Sequence, residues 1–87
     1  MTALAKLTDR FTEADIDSEI VIMRLDNGEF FSLSGTSAAT WRLIDGSRNR
    51  DNVLAALTDQ FEGAGREIDR DLDAFLRELR ETGLLAE

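Results

Sequence analysis

The chain has 87 residues, a net charge of −8 and no Cys, His, Pro or Tyr. This length fits one small domain, since domains most often contain ~100–150 residues. The missing Cys and His exclude the usual zinc, haem and iron–sulfur sites and the Cys–His and Ser–His–Asp nucleophile systems. The acidic balance opposes binding to DNA or RNA, and no apolar run reaches the ~18 residues of a membrane span. We therefore expect a cytoplasmic binding domain that is not an enzyme and has no cofactor, metal, nucleic-acid or membrane partner.

The N-terminal part of the chain has the weakest pattern. Residues 1–8 show no clear hydrophobic period and predict a partly ordered N-terminal tail. The domain itself is predicted to occupy residues 9–87. Its first element is a short strand around Phe11 to Ala14.

A β-hairpin follows with a much clearer pattern. Two runs rich in apolar and β-branched residues, 19–25 and 29–34, flank an Asn27-Gly28 pair. Asn-Gly between such runs predicts a two-residue turn, because both turn residues need positive φ. In that register Met23 faces Ser32. Both faces of this hairpin are apolar, so we expect both to be covered at least in part.

The rest of the chain has the period of helices. The first helix places Trp41 among other apolar residues, which indicates a core position rather than a ligand platform. Asn49 is the predicted N-cap of a second helix over 50–61. The third helix is predicted over 67–82 and ends at Gly83. Strands followed by three helices predict an α+β fold with a winged-helix-like topology.

The β-strand after the hairpin turn is the most promising functional feature. An edge strand exposes unpaired N–H and C=O groups, and the run 29–34 has no Pro and only one charge to block them. Such an edge favours the addition of an extended peptide as a further strand. Asp69 and Asp73 lie on one helix face, but no oxygen-rich loop accompanies them, so a solvated helix start is favoured over a metal site.

Several motifs together resemble the PqqD-like family over about residues 10–85. They are Gly-Glu-Phe-Phe-Ser-Leu at 28–33, Ser-Gly-Thr-Ser-Ala at 34–38, Trp-Arg-Leu-Ile-Asp-Gly at 41–46, and the apolar tail pattern from Ile68 to Leu85. The family is known as the RiPP recognition element, which binds leader peptides in the biosynthesis of ribosomally made, modified peptides. The resemblance implies a three-stranded antiparallel sheet followed by three helices.

The resemblance also implies a site. The leader would pair with the third strand, whose implied binding residues are Glu29, Phe30, Phe31, Ser32 and Leu33. It would lie against the third helix, whose implied binding residues are Asp69, Leu72, Asp73, Leu76 and Arg80. The opposite flank of that helix, 71/75/78, stays open as an alternative. An acidic rim of Glu29, Asp69 and Asp73 would favour a leader with Lys or Arg nearby, and Arg80 would pair with a leader carboxylate.

The implied function is non-catalytic capture of a precursor peptide by β-strand addition and its delivery to a leader peptidase or other modifying enzyme. The chain is most similar to the stand-alone form of lasso-peptide pathways, because the N-terminal Pro of the cofactor branch is missing. One alternative is an accessory binding protein for a radical enzyme, as in pyrroloquinoline quinone synthesis. Another is a structural or oligomerisation module that uses the second apolar sheet face, and the oligomeric state stays open. A DNA-binding winged helix is opposed by the net charge.

Overall fold

The computed structural model of the protein describes residues 3–61 and 65–86; residues 1 and 2 of the predicted tail, residues 62–64 and residue 87 lie outside the described residues. The strands are β1 (Phe11–Ile16), β2 (Glu19–Arg24) and β3 (Phe30–Leu33). The helices are α1 (Gly35–Leu43), α2 (Arg50–Gln60) and α3 (Gly65–Glu81). An antiparallel sheet followed by three helices confirms the predicted α+β fold. None of the helices in the described segments is long and apolar enough to cross a lipid bilayer.

The sheet has the order β1-β2-β3, so β1 and β3 are its edges. β1 and β2 join through a two-residue turn at Asp17 and Ser18, because Ile16 pairs with Glu19. Asp17 has a φ of 58°, a left-handed conformation that Asp tolerates better than most residues. The predicted first strand is confirmed and continues two residues further, to Ile16.

The hairpin between β2 and β3 differs from the predicted one. Met23 pairs with Phe30 rather than with Ser32, so the register is shifted by two residues. Gly28, whose φ is 72°, donates its backbone N–H to the carbonyl oxygen of Arg24 at 2.9 Å. This contact belongs to a loop longer than the two-residue turn that Asn-Gly most often forms. Because the shift is an even number of residues, every side chain stays on its predicted face.

One face of the sheet, the inner face, packs against the helices and forms the core. Ile20 and Ile22 on this face are 3% and 0% exposed. The helices contribute the buried residues Ala38, Val53, Leu57, Leu72, Leu76 and Leu79, and Ile44, the residue that follows α1, is buried with them. Trp41 is also buried, and its ring meets that of Phe11 edge-on with the centroids 5.2 Å apart. This packing confirms the predicted core position of Trp41.

The outer face of the sheet carries Thr12, Ala14, Ile16, Glu19, Val21, Met23, Phe30 and Ser32. The expected cover over both faces is present on the inner face only. Phe30 and Ile16 on the outer face are 68% and 56% exposed. The described part of the chain therefore leaves an apolar surface beside the β3 edge.

The predicted N-terminal tail of residues 1–8 packs against the domain in the part that the structure describes. Leu4 is buried in the core. Leu7 donates its backbone N–H to the carbonyl oxygen of Leu84, and Ala86 donates to Ala5, both at 2.9 Å. These bonds join two segments from opposite ends of the chain, a contact that the local sequence pattern of residues 1–8 does not encode.

The start of α2 and the end of α3 follow the predicted capping residues. Asn49 caps α2 and forms a reciprocal pair of side-chain to backbone hydrogen bonds with Asn52. After α3, Gly83 has a φ of 79°, and the N–H of Leu84 bonds to the carbonyl of Leu79 at 2.9 Å. This is a Schellman motif, in which glycine ends the helix and the next apolar residue packs back onto it. The turn places Leu84 beside the sheet.

Candidate functional site

The β3 strand has an open edge, because no described strand pairs with its second side. Arg24 donates its backbone N–H to the carbonyl oxygen of Glu29 at 2.9 Å. Hydrogen-bonded and non-bonded pairs alternate along an antiparallel ladder. Phe31 and Leu33 therefore direct their backbone groups towards β2, whereas Ser32, like Phe30, directs its N–H and C=O away from the sheet.

The other sheet edge, β1, is protected by charge. Glu13 and Asp15 lie on its inner face, where Glu13 accepts a hydrogen bond from the indole N–H of Trp41 and Asp15 forms an ion pair with Arg42. Inward-pointing charges on an edge strand oppose pairing with another chain. The four residues of β3 carry no charge. The open β3 edge is therefore the one suited to pairing with a further strand.

An apolar cleft of about 380 Å³ lies between β3 and α3. Its lining residues are Ile22, Phe31, Leu33, Phe75, Glu78, Leu79, Glu81, Thr82 and Leu84. Cavities of this size, within the ~300–1,000 Å³ range of ligand pockets, hold several apolar groups at once. The cleft is thus placed to receive side chains from a strand paired with β3.

A second, smaller depression continues along α3 towards the start of α1. Its lining residues are Thr36, Ser37 and Thr40 of α1, Leu57 of α2, and Ile68, Asp71, Leu72 and Phe75 of α3. Phe75 lines both cavities, so both lie along the same flank of the helix. That flank is 71/75/78, the alternative that the sequence left open.

The residues implied on the other flank do not reach the cleft. Arg50 of α2 binds the carboxylates of both Asp69 and Asp73, the second at 2.7 Å. These hydrogen bonds, first to Asp69 and then to Asp73, raise the pKa of Arg50. Both carboxylates therefore face α2, and the acidic rim expected from Glu29, Asp69 and Asp73 is not formed. The sequence did not predict this arrangement because it depends on a contact between α2 and α3, which joins residues far apart in the sequence.

The remaining implied residues of α3 are also outside the cleft. Leu72 and Leu76 are 2% and 1% exposed, so they belong to the core and offer almost no surface to a ligand. Arg80 is exposed but does not line the cleft. Of the residues implied in β3, Phe31 and Leu33 line the cleft directly.

Leu79, Glu81 and Thr82 line the cleft although the sequence interpretation did not single them out as binding residues. Leu79 continues the helical spacing from Phe75, and this spacing was the available signal. The Schellman turn after α3 adds Leu84. Among the described residues, no group of three or more Asp, Glu, His or Cys is arranged to hold a metal ion.

Comparisons with known proteins find a matching family and two solved structures that are similar to this chain. The sequence model of the family described as "Coenzyme PQQ synthesis protein D (PqqD)" matches residues 19–85, which include both β3 and α3. No curated protein sequence matches this chain. The solved structure "TbiB1 in Complex with the TbiA(beta) Leader Peptide" is 28% identical, covering 88% of this chain and 90% of that chain with a TM-score of 0.80. A second, "Lasso peptide synthetase B1 complexed with the leader peptide", is 21% identical over 97% and 98% of the two chains, and its TM-score of 0.82 shows the shared fold.

Proposed function

This chain belongs to the PqqD family, and we propose that it binds the leader segment of a ribosomally made precursor peptide as a fourth strand on the β3 edge. The observation that carries the proposal is the open edge of β3 beside an apolar cleft. The likeness to TbiB1, whose structure contains a leader peptide, supports it.

Strand addition uses the geometry of β3 in two ways. The outward N–H and C=O of Ser32 pair with the backbone of the leader, which gives affinity without strong sequence selectivity. Alternate leader side chains point to the inner side and enter the cleft above Phe31 and Leu33. Ordering a flexible leader consumes part of the binding energy, so we expect a dissociation constant of roughly 0.1–10 µM.

The role of the chain in this proposal is delivery without catalysis. It has no Cys or His, and it holds the leader while a leader peptidase or other modifying enzyme acts on the precursor. Lasso-peptide biosynthesis is the proposed pathway, supported by the resemblance to its stand-alone binding proteins, and the likeness to TbiB1 supports the binding of a leader peptide. Because such precursors are made by ribosomes, the proposed location is the cytoplasm.

A proline at position 32 tests strand addition directly. Ser32→Pro removes the outward N–H and leaves the pairing with β2 intact, whereas Ser32→Ala changes the side chain and keeps the N–H. Tagged forms of the protein are incubated with a lysate of the source organism, and mass spectrometry identifies every bound species from small peptides upward. We expect a short precursor peptide with the wild type and Ser32→Ala, and its loss with Ser32→Pro. Equal recovery with all three folded proteins contradicts strand addition, and recovery of proteins alone contradicts leader binding.

A structural or oligomerisation module is the second candidate function, because the outer face of the sheet is apolar. Phe30 is 68% exposed there, and Met23 and Val21 lie beside it. A stable interface of this kind would bury about 800 Å² on each partner. Sedimentation at several protein concentrations tests this candidate, and a concentration-dependent dimer that Phe30→Ser abolishes would support it.

A further inference from the structure

Two carboxylates form part of the wall of the apolar cleft. Glu78 and Glu81 are exposed and line the cleft beside Phe75 and Leu79. Both lie in the last turn of α3, which ends at Glu81. The C-terminal end of a helix carries partial negative charge, so carboxylates are disfavoured there and cations are favoured. Their position is therefore unfavourable for the free helix.

Glu78 and Glu81 form no ion pair among the described residues, unlike six of the aspartates. Ion pairs with arginine engage Asp15, Asp26, Asp45, Asp51, Asp69 and Asp73. None of the ion pairs among the described residues includes Glu78 or Glu81. Negative charge that no ion pair among the described residues balances thus lies at the mouth of the cleft, with Arg80 in the same last turn of α3, in a chain whose net charge is −8.

We propose that the apolar cleft between β3 and α3 selects an extended peptide that carries a lysine or arginine beside Glu78 and Glu81, next to apolar residues spaced two apart. The spacing follows from strand pairing, which sends alternate side chains to the inner side. The basic residue fits because its methylene stem covers the apolar surface of Phe75 and Leu79 while its charged end reaches the carboxylates. This inference rests on the proposed function and defines the chemical class of leader that the site accepts.

Charge reversal at the two positions tests the proposal. In Glu78→Lys/Glu81→Lys, two cations replace two anions at a helix end that favours cations, so we expect the variant to fold with equal or higher stability. The matched control is Glu19→Lys/Asp59→Lys, because both of its positions are exposed and lie outside the cleft lining. Each Glu-to-Lys or Asp-to-Lys change adds two charges, so both double variants have a net charge of −4.

The probe is a library of random peptides of about 12 residues displayed on their own mRNA, long enough to pair with all of β3. The library is selected in parallel on the wild type, the two double variants and Ser32→Pro. We expect the wild type and the control to enrich peptides with Lys or Arg next to alternating apolar residues, and Glu78→Lys/Glu81→Lys to enrich Asp or Glu at that position. With one wild-type-selected peptide, Glu78→Gln/Glu81→Gln should weaken binding by about 1.5- to 5-fold per carboxylate, and less at high salt.

The outcomes separate this inference from the proposed function. The wild type and the reversed variant could both select peptides that Ser32→Pro does not bind, with the same charged residues in both sets. That result overturns the charge selection and leaves strand addition in place. The absence of any enrichment over Ser32→Pro contradicts the proposed function itself. If the reversed variant does not fold, the Gln variant decides, and unchanged affinity for basic peptides then overturns the inference.

Discussion

Arg24 donates its backbone N–H to the carbonyl oxygen of Glu29 at 2.9 Å, and this pair determines the direction of the backbone groups in β3. Through the alternation of the ladder, the backbone of Leu33 faces Ile20, with which it pairs, whereas that of Ser32 faces outwards. A shift of the hairpin by a single residue would exchange the two roles and would also turn the apolar side chains away from the core. The open edge and the apolar cleft therefore depend on one register.

Proline substitutions in β3 should differ in effect according to this alternation. We expect Ser32→Pro to lower the free energy of unfolding by less than about 1 kcal/mol, since no ladder bond is lost. Leu33→Pro removes a bond to β2 and should cost about 1–3 kcal/mol more than Leu33→Ala, the control for the lost side chain. Urea unfolding measures both values. Equal destabilisation by the two prolines would show that the alternation is wrong.

Substitutions on the two flanks of α3 should affect peptide binding and stability differently. Phe75→Ala removes an apolar wall of the cleft and should weaken binding of the recovered precursor peptide by about ten-fold or more. Asp69→Asn/Asp73→Asn breaks the ion pairs with Arg50 and should leave peptide affinity unchanged. Because exposed ion pairs contribute ~0.2–1 kcal/mol each, we expect this variant to lose about 1 kcal/mol of stability. Calorimetric titration and thermal unfolding measure the two effects. A loss of peptide affinity in the Asn variant alone would place the peptide on the α2 side of the helix.

The order and type of the elements followed from the sequence because local patterns encode them. Runs rich in apolar and β-branched residues on either side of Asn27-Gly28 indicated the hairpin strands, and helical spacing with Asn49 and Gly83 at the ends indicated the second and third helices. The hairpin register did not follow, because Asn-Gly is compatible with more than one loop length. The face of the sheet on which each side chain lies was still predicted correctly, since the register differed by an even number of residues.

The flank of α3 that faces β3 required the structure. The stripe of Leu72, Leu76 and Leu79 shows which side of the helix is buried, but it does not show which neighbour lies to its left or right. Contacts between residues far apart in the sequence decide which element lies on each side. Examples are the contacts of Arg50 with Asp69 and Asp73, which follow it by 19 and 23 positions. The family resemblance placed the implied residues Asp69 and Asp73 on the side of α3 that faces α2, whereas the cleft lies on the side of Phe75 and Leu79.

The end of the cleft should depend on Gly83, because this glycine forms the turn that places Leu84 in the cleft wall. Its φ is 79°, and a Cβ there would meet no atom within 4 Å, so a substitution costs conformational energy without a clash. We expect Gly83→Ala to lower the free energy of unfolding by about 1–2 kcal/mol, because an L residue is strained in the left-handed region. A synthetic chain with D-alanine at this position should recover the loss, since a D residue prefers positive φ. Equal stability of the L and D forms would contradict the role of the Schellman turn.

Lys6 should make stability depend on alkaline pH. Its ammonium lies 4.2 Å from the centroid of the Trp41 ring, and burial lowers the pKa of Lys6, although Glu13 and Asp45 act in the opposite direction. A folded pKa below the unfolded value of 10.5 means that the charged form costs stability at neutral pH. This cost disappears as the pH rises through the lowered pKa towards 10.5, so the wild type should gain stability relative to Lys6→Met over that window.

Urea unfolding of both proteins from pH 7 upward measures the difference, and NMR titration of the lysine side chain gives the pKa directly. A wild type that loses stability relative to Lys6→Met over the same window would show that attraction to Glu13, Asp45 and the indole ring outweighs burial.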